Sequence, residues 1–149
     1  AKAMDTNVTA VCSTGNVEMV RDLGADTVID YNKQTDFVTD LKYDVVLDYF
    51  VKSTYKAFAA VMQADAVYVP ALPSISFIIK SYLMPLYTKR RVKPVMLKTN
   101  GKDLNFLSNL VREGKLRTII DSSYSLNEYR EAFERNQTGR TRGKIIINI

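Results

Sequence analysis

The chain has 149 residues, 46% of them hydrophobic and 25% charged, with a net charge of +5, which suits one globular domain of ordinary composition. Cys12 is the single cysteine and there is no histidine, so an internal disulfide and any His-based triad or general base are excluded, and a zinc site would have to be built from carboxylates. No apolar run reaches the roughly 18 residues of a membrane span; the longest, Ile75 to Tyr87, is broken by Lys80, Ser81 and Pro85.

The first apolar run, Val8 to Ser13, predicts a strand. Asn16 then stands as a helix N-cap, Val17, Val20 and Leu23 mark a buried stripe, and Gly24 is the C-terminal stop. Thr27 to Tyr31 predicts the next strand, and Asp36 to Leu41 a short helix. Tyr43 to Tyr49 is a third strand. Ser53 or Thr54 caps a helix to Met62, and Ala66 to Ala71 is a fourth strand. A fifth spans Val92 to Lys98, where Pro94 argues for a sheet edge. Asn100 or Asp103 opens a long helix with the stripe Leu104, Leu107, Leu110 and Val111, ended by Gly114. Ser125 to Glu128 spells a capping box before a helix to about Asn136. Lys144 to Ile149 closes the chain as a strand of β-branched residues.

Strands alternating with helices imply βαβ units and a mainly parallel sheet with helices on both faces. The fold class is therefore α/β, and no repeat, low-complexity tract or flexible linker interrupts it.

The stretch "VTAVCSTGNVEMVRDLGADTVIDY" resembles the second strand, helix and third strand of medium-chain dehydrogenase/reductases, in their zinc-free quinone oxidoreductase-like branch. "YDVVLDY" resembles the next strand, and the run from Gly101 to Ile149, with "EGKL", "SYSL" and "RGK", resembles the C-terminal end of such enzymes. The resemblance covers nearly the whole chain and rests on order and spacing together. It implies a Rossmann-like cofactor domain over residues 1–125. Residues 126–149 are then a helix and strand that return to a substrate-binding barrel. "AKAM" matches the last turn of the helix that follows the glycine loop, so the first βα unit is not in the sequence. None of the six glycines forms the cluster that closes backbone N–H groups on a pyrophosphate. With that strand central in a 3-2-1-4-5-6 order, the sheet is expected either to close the gap or to recruit a strand from another chain. The first residue, which is not Met, reads as an artificial edge or a cleavage point.

Cofactor contacts follow from the same resemblance. Ser13, Thr14 and Asn16 match the turn that meets the adenosine ribose or its 2′-phosphate; the bland alternative is that they only cap the helix. Tyr31 matches a position flanking the adenine side, and Lys33 supplies charge for a phosphate; the alternative is a surface pair. Asp48 sits at a strand's carboxyl end, where ligands of open α/β sheets bind, or is a plain turn aspartate. No acidic residue ends the Val8–Ser13 strand, which leans the cofactor to NADPH over NADH. No metal is implied. Val69 to Pro73 matches the loop facing the nicotinamide. Arg142 and Lys144 could reach a phosphate or be ordinary surface charges. Tyr82 and Tyr87 lie in an insertion from Ser74 to Arg90 that suggests a packing or dimer surface.

Several positions depart from the family pattern. Tyr49, Phe50 and Val51 replace a small residue, Val and Gly; "QADA", Gln63 to Ala66, replaces a Gly-Gly turn; and Asp5 replaces a helix-ending Gly.

The reading is an NAD(P)H-dependent oxidoreductase cofactor domain of the quinone or activated-alkene reductase type, not catalytic by itself, from a cytoplasmic protein that forms homo-oligomers. The alternative is a non-catalytic oligomerising module built on that fold. Nucleic-acid binding rests only on the basic pI and has no recognisable motif.

Overall fold

The computed structural model describes residues 1–34, 41–49, 54–71, 73–95 and 100–149. The helix expected over Asp36–Leu41, the departures Phe50 and Val51, and Ser53 fall wholly or mostly outside them.

In chain order the elements are β1 (Thr9–Cys12), α1 (Val17–Asp22), β2 (Thr27–Asp30), β3 (Tyr43–Asp48), α2 (Tyr55–Val61), β4 (Met62–Pro70), α3 (Ile75–Leu83), β5 (Arg91–Val92), α4 (Gly101–Arg112), β6 (Ile120–Ser125), α5 (Tyr129–Gln137) and β7 (Lys144–Asn148). Short 3-10 turns precede α1 and α5 and follow α3. Every ladder between described strands is parallel, as the α/β reading requires. The chain divides into two compact units, residues 1–33 with 100–149, and residues 34–99.

In the first unit β1 pairs with β2 in register from Thr9 and Thr27 to Cys12 and Asp30. Helix α1 crosses between them. Gly24, at φ 99°, ends the crossover as expected, because only glycine reaches that backbone region without strain. Asn100 caps α4, its side chain accepting from the Asp103 N–H. The Ser125–Glu128 capping box is also present: the Glu128 carboxylate accepts from the Ser125 N–H and hydroxyl at 2.8 Å each. It launches α5, the crossover between β6 and β7. The expected stripe of α4 is poorly covered, with Leu104 70% exposed.

In the second unit β4 is central, between β3 and β5. Its core is Met62, Ala66 and Tyr68, packed by Val46, Tyr55, Phe58, Phe77 and Val92. Two readings need correction. The fourth strand begins at Met62 rather than Ala66, directly from the end of α2. "QADA" is therefore extended strand and not a turn. Tyr43 pairs with Met62 and Val45 with Val67, so the register of the ladder shifts there as at a β-bulge. The Arg90 guanidinium takes up the carbonyls freed there, donating to Gln63 at 2.9 Å and Met62 at 3.1 Å. Helix α3 was not expected: "ISFIIKSYL" is rich in β-branched residues with little helix propensity. The fifth strand is two residues long, and it does lie at an edge.

Among the described residues no helix is long and apolar enough to cross a membrane.

Candidate functional site

The carboxyl ends of β1 and β2 lie side by side, and the turns leaving them build a cleft. Its volume is about 460 Å³ and Thr14, Gly15, Val17, Glu18, Arg21, Asp30 and Lys33 line it. The parallel register explains the meeting. Cys12 faces Asp30 across the ladder, and the Tyr31 N–H donates to the Cys12 carbonyl at 3.1 Å, so the next residues of both strands emerge together.

Five of the six expected site residues, Ser13, Thr14, Asn16, Tyr31 and Lys33, belong to this turn pair, and two of them, Thr14 and Lys33, line the cleft. The Thr14 hydroxyl accepts from the Asn32 side-chain amide at 3.3 Å. Neither Ser13 nor Asn16 caps through its side chain; the turn is closed instead by the Asn16 N–H donating to the Ser13 carbonyl at 2.8 Å. Both residues nonetheless stand at N-cap positions, Ser13 of the 3-10 turn and Asn16 of α1. The side-chain oxygen of Asn16 is buried with no partner. A buried acceptor left empty costs about 1–3 kcal/mol, and a ligand hydroxyl would fill it. Tyr31 is 48% exposed and does not line the cleft.

The sequence reading missed Asp30. One of its oxygens accepts from the Asn32 N–H at 3.0 Å, while the other, Oδ2, is buried without a partner. A strand-ending carboxylate with an open acceptor suits a sugar hydroxyl. The signal was in "VID", but attention went to the tyrosine after it. Burial first, and the Asp30 charge second, push the Cys12 thiol upward, so Cys12 stays protonated and is no nucleophile here.

Asp48 lies in the other unit. It is 7% exposed, and its Oδ2 accepts from the Tyr68 hydroxyl at 2.7 Å. Its carbonyl accepts from the Ala71 N–H at 2.8 Å, which holds the end of β4 against the end of β3. Burial first, and the bond to Asp48 second, push the Tyr68 phenol upward. Tyr68 therefore stays protonated and remains the donor.

The C-terminal segment also reaches the first cleft's rim. A methyl group at Gly15 would stand 2.5 Å from Nη2 of Arg142. Asp121 fixes that segment. Its carboxylate accepts two bonds from Arg135, at 2.7 and 2.9 Å, and one from the Arg142 N–H at 2.8 Å. The Arg135 bonds first, then the Arg142 N–H, hold the Asp121 carboxyl well below its ordinary value of 3.8. The stability this supplies is complete above that ordinary value and is lost as pH falls through the lower folded value. Asp121→Asn removes the charge with little change of shape. Thermal melts against pH should show a lower Tm at neutral pH and a flatter decline on the acid side than the unaltered chain. Identical acid slopes would refute the assignment.

Residues 23–147 match the family described as zinc-binding dehydrogenase. A chloroplastic quinone-oxidoreductase of Triphysaria versicolor is 32% identical over 152 residues, which cover 99% of this chain and 46% of that protein. A mitochondrial NAD(P)H oxidoreductase of Drosophila melanogaster is 31% identical over 169 residues, covering 99% of this chain and 41% of that one. The solved quinone oxidoreductase of Coxiella burnetii superposes with a TM-score of 0.82 at 25% identity, over 100% of this chain and 47% of that one. The chain thus spans about half the length of the relatives it matches.

The donor chemistry does not fit the zinc of the family's description. The sequence offers no histidine and one thiol, and among the described residues no three His, Cys, Asp or Glu side chains gather to hold a metal. With a match over most of its length and this parallel α/β architecture, the chain belongs to the zinc-binding dehydrogenase family, as a C-terminal portion of the quinone oxidoreductase-like branch of the medium-chain dehydrogenase/reductases.

Proposed function

We propose that this chain supplies the adenosine-ribose half of an NAD(P)H site, in an enzyme that reduces a quinone or an activated alkene. The observation that carries the reading is the cleft at the ends of β1 and β2. Asp30 lines it with a buried carboxylate oxygen that has no partner, the neighbouring Asn16 carries a second such acceptor, and Lys33 and Arg21 bring positive charge to the cleft walls. Ribose hydroxyls would satisfy the acceptors. Ser13, Thr14 and Asn16 hold the ribose side, Tyr31 flanks the adenine, and Lys33 faces phosphate. Asp48 enters as a positioning residue that ties β3 to β4 through Tyr68. NADPH is preferred to NADH because β1 ends in Cys12 and Ser13 rather than in a carboxylate.

When bound, the cofactor supplies hydride. The residues here orient its adenosine end and contribute no proton or metal. Residues 1–149 alone bind the cofactor without turning over substrate, residues 126–149 being the segment that returns to a barrel. The cytoplasm, a reducing compartment, suits a chain with one thiol. The test is a thermal melt with NADPH and with NADH. Ligand at a hundredfold over its Kd adds about 2.7 kcal/mol, so Tm should rise with NADPH more than with NADH. No rise at millimolar NADPH would refute the reading.

A second reading, a homo-oligomeric module without catalysis, is favoured by the region after β4. Ile75, Tyr82, Leu86 and Tyr87 are 79%, 80%, 73% and 85% exposed, an unusual concentration of bare apolar surface. Mass in solution decides it, since a stable monomer would exclude assembly.

A further inference from the structure

We propose that the stretch from α3 to the start of β5, residues 75–93, docks on an anionic lipid surface, with its apolar side chains in the interface and its cations against the headgroups. The inference uses none of the cleft residues, so it and the cofactor reading stand or fall separately.

Two observations carry it. The first is where the charge lies. Between Asp65 and Asp103 the sequence holds no Asp or Glu and seven Lys or Arg. That leaves 14 of the 21 Lys and Arg against all 16 Asp and Glu for the rest of the chain, so the whole net charge of +5 comes from this one segment. Lys89, Arg91 and Lys93 are exposed, and among the described residues none of them takes part in a salt bridge. Val92, between the last two, packs on the core and fixes their place. The second observation is that α3 is apolar on both faces. Phe77 packs on the core cluster. Ile75, Ile79, Tyr82 and Leu83 recur at helical spacing on the opposite face, and all are more than half exposed. A surface helix ordinarily carries polar residues there. The 3-10 turn Met84–Leu86 continues the bare surface through Leu86 to Tyr87.

Together these features select the occupant. An apolar helix face followed directly by cations is the composition that lies in the plane of a membrane interface. Tyr82 and Tyr87 suit the same depth, since the ring is apolar and the hydroxyl stays wet. A second copy of the chain would set cation against cation, with no carboxylate in the segment to answer them. A nucleic acid would take the cations and leave Ile75, Ile79 and Leu83 without an apolar partner. Each Lys or Arg held near an anionic leaflet strengthens binding about fivefold, a gain that salt screens away.

The test is flotation of the 149-residue chain with vesicles of phosphatidylcholine alone and of phosphatidylcholine mixed with phosphatidylglycerol. A density gradient lifts vesicle-bound chain and leaves self-associated chain at the bottom. The chain should float with the mixed vesicles at low salt, stay down with phosphatidylcholine alone, and be released at about 0.5 M salt. Lys89→Gln with Arg91→Gln should weaken binding about 25-fold, fivefold for each cation. Tyr82→Ser with Leu86→Ser keeps every charge and should weaken it about tenfold, because binding scales with the apolar area buried. Arg112→Gln with Arg117→Gln, exposed cations of the other unit, should leave it unchanged. Circular dichroism checks that each variant folds. No flotation with the mixed vesicles would overturn the proposal. Equal weakening by the two cation pairs would overturn it too, since net charge and not this face would then bind. So would a Tyr82→Ser, Leu86→Ser variant that floats like the unaltered chain. A dimer in light scattering that this variant abolishes, with no vesicle binding, would make the face an interface between copies instead. Retention on duplex DNA without vesicle binding would assign the basic segment to nucleic acid.

Discussion

Tyr68→Ala should destabilise the chain by about 3–5 kcal/mol, the range for truncating a buried aromatic. Tyr68 is 2% exposed and is the hub of an aromatic cluster. Its ring centroid lies 5.3 Å from Tyr55, 5.6 Å from Phe58 and 5.9 Å from Phe77. The Tyr55 and Phe77 contacts are edge-on, the arrangement that aromatic quadrupoles favour. Tyr68→Phe isolates the other contribution. It keeps the ring and removes only the hydroxyl that donates to Asp48, and should cost about 1–3 kcal/mol, because a buried carboxylate oxygen loses this donor. Urea denaturation of both variants separates the two effects. Equal losses would mean that the hydrogen bond, and not the packing, dominates. A Phe variant as stable as the original would mean that Asp48 is solvated, contrary to its burial.

This pair shows where sequence reading succeeds and where it stops. Strand β4, and Asp48 at the end of β3, were legible because apolar runs of strand length announce themselves. So were Gly24, Gly114, Asn100 and the Ser125–Glu128 box, each a local signal with a local mechanism. Asp5 was noted as standing where relatives carry glycine, and it does take a left-handed backbone, φ 53°, the conformation glycine holds without strain. Local signals failed where two states compete on the same residues. "QADA" was read as a turn and is strand; "ISFIIKSYL" has strand-like composition and is helix, of which Phe77 packs on the aromatic cluster. The bond between Tyr68 and Asp48 spans twenty residues and has no sequence signature at all. The candidate site divides in the same way. Thr14 and Lys33 were found because turns at strand ends are legible. Arg142 was named beside Lys144 as able to reach a phosphate or as a surface charge, but its closeness to Gly15 joins opposite ends of the chain and has no local signature.

Gly143→Ala should be the most damaging small substitution in the C-terminal segment. Two costs add. The backbone at Gly143 has φ 112°, a region that L-residues enter at about 1–2 kcal/mol. A Cβ there would also stand 2.2 Å from the Ile119 carbonyl oxygen, and overlap of that kind typically costs a further 1–3 kcal/mol, roughly. Relief by movement is blocked on both sides. The Lys144 N–H donates to that same carbonyl at 2.8 Å, and the Arg142 N–H is held by Asp121 at 2.8 Å. The sum, about 2–5 kcal/mol, falls on the closure of β7 against β6. Gly139→Ala is the internal reference. Gly139 also has a positive φ, 63°, but open space where a Cβ would lie, so it pays the backbone cost alone, about 1–2 kcal/mol. Denaturation midpoints of the two variants should therefore differ in Gly139→Ala's favour. If they coincide, Ile119 yields freely and the chain before β7 is not clamped. The "RGK" stretch then has a physical reason for its glycine: it lets the backbone pass the Ile119 carbonyl closely enough to start β7.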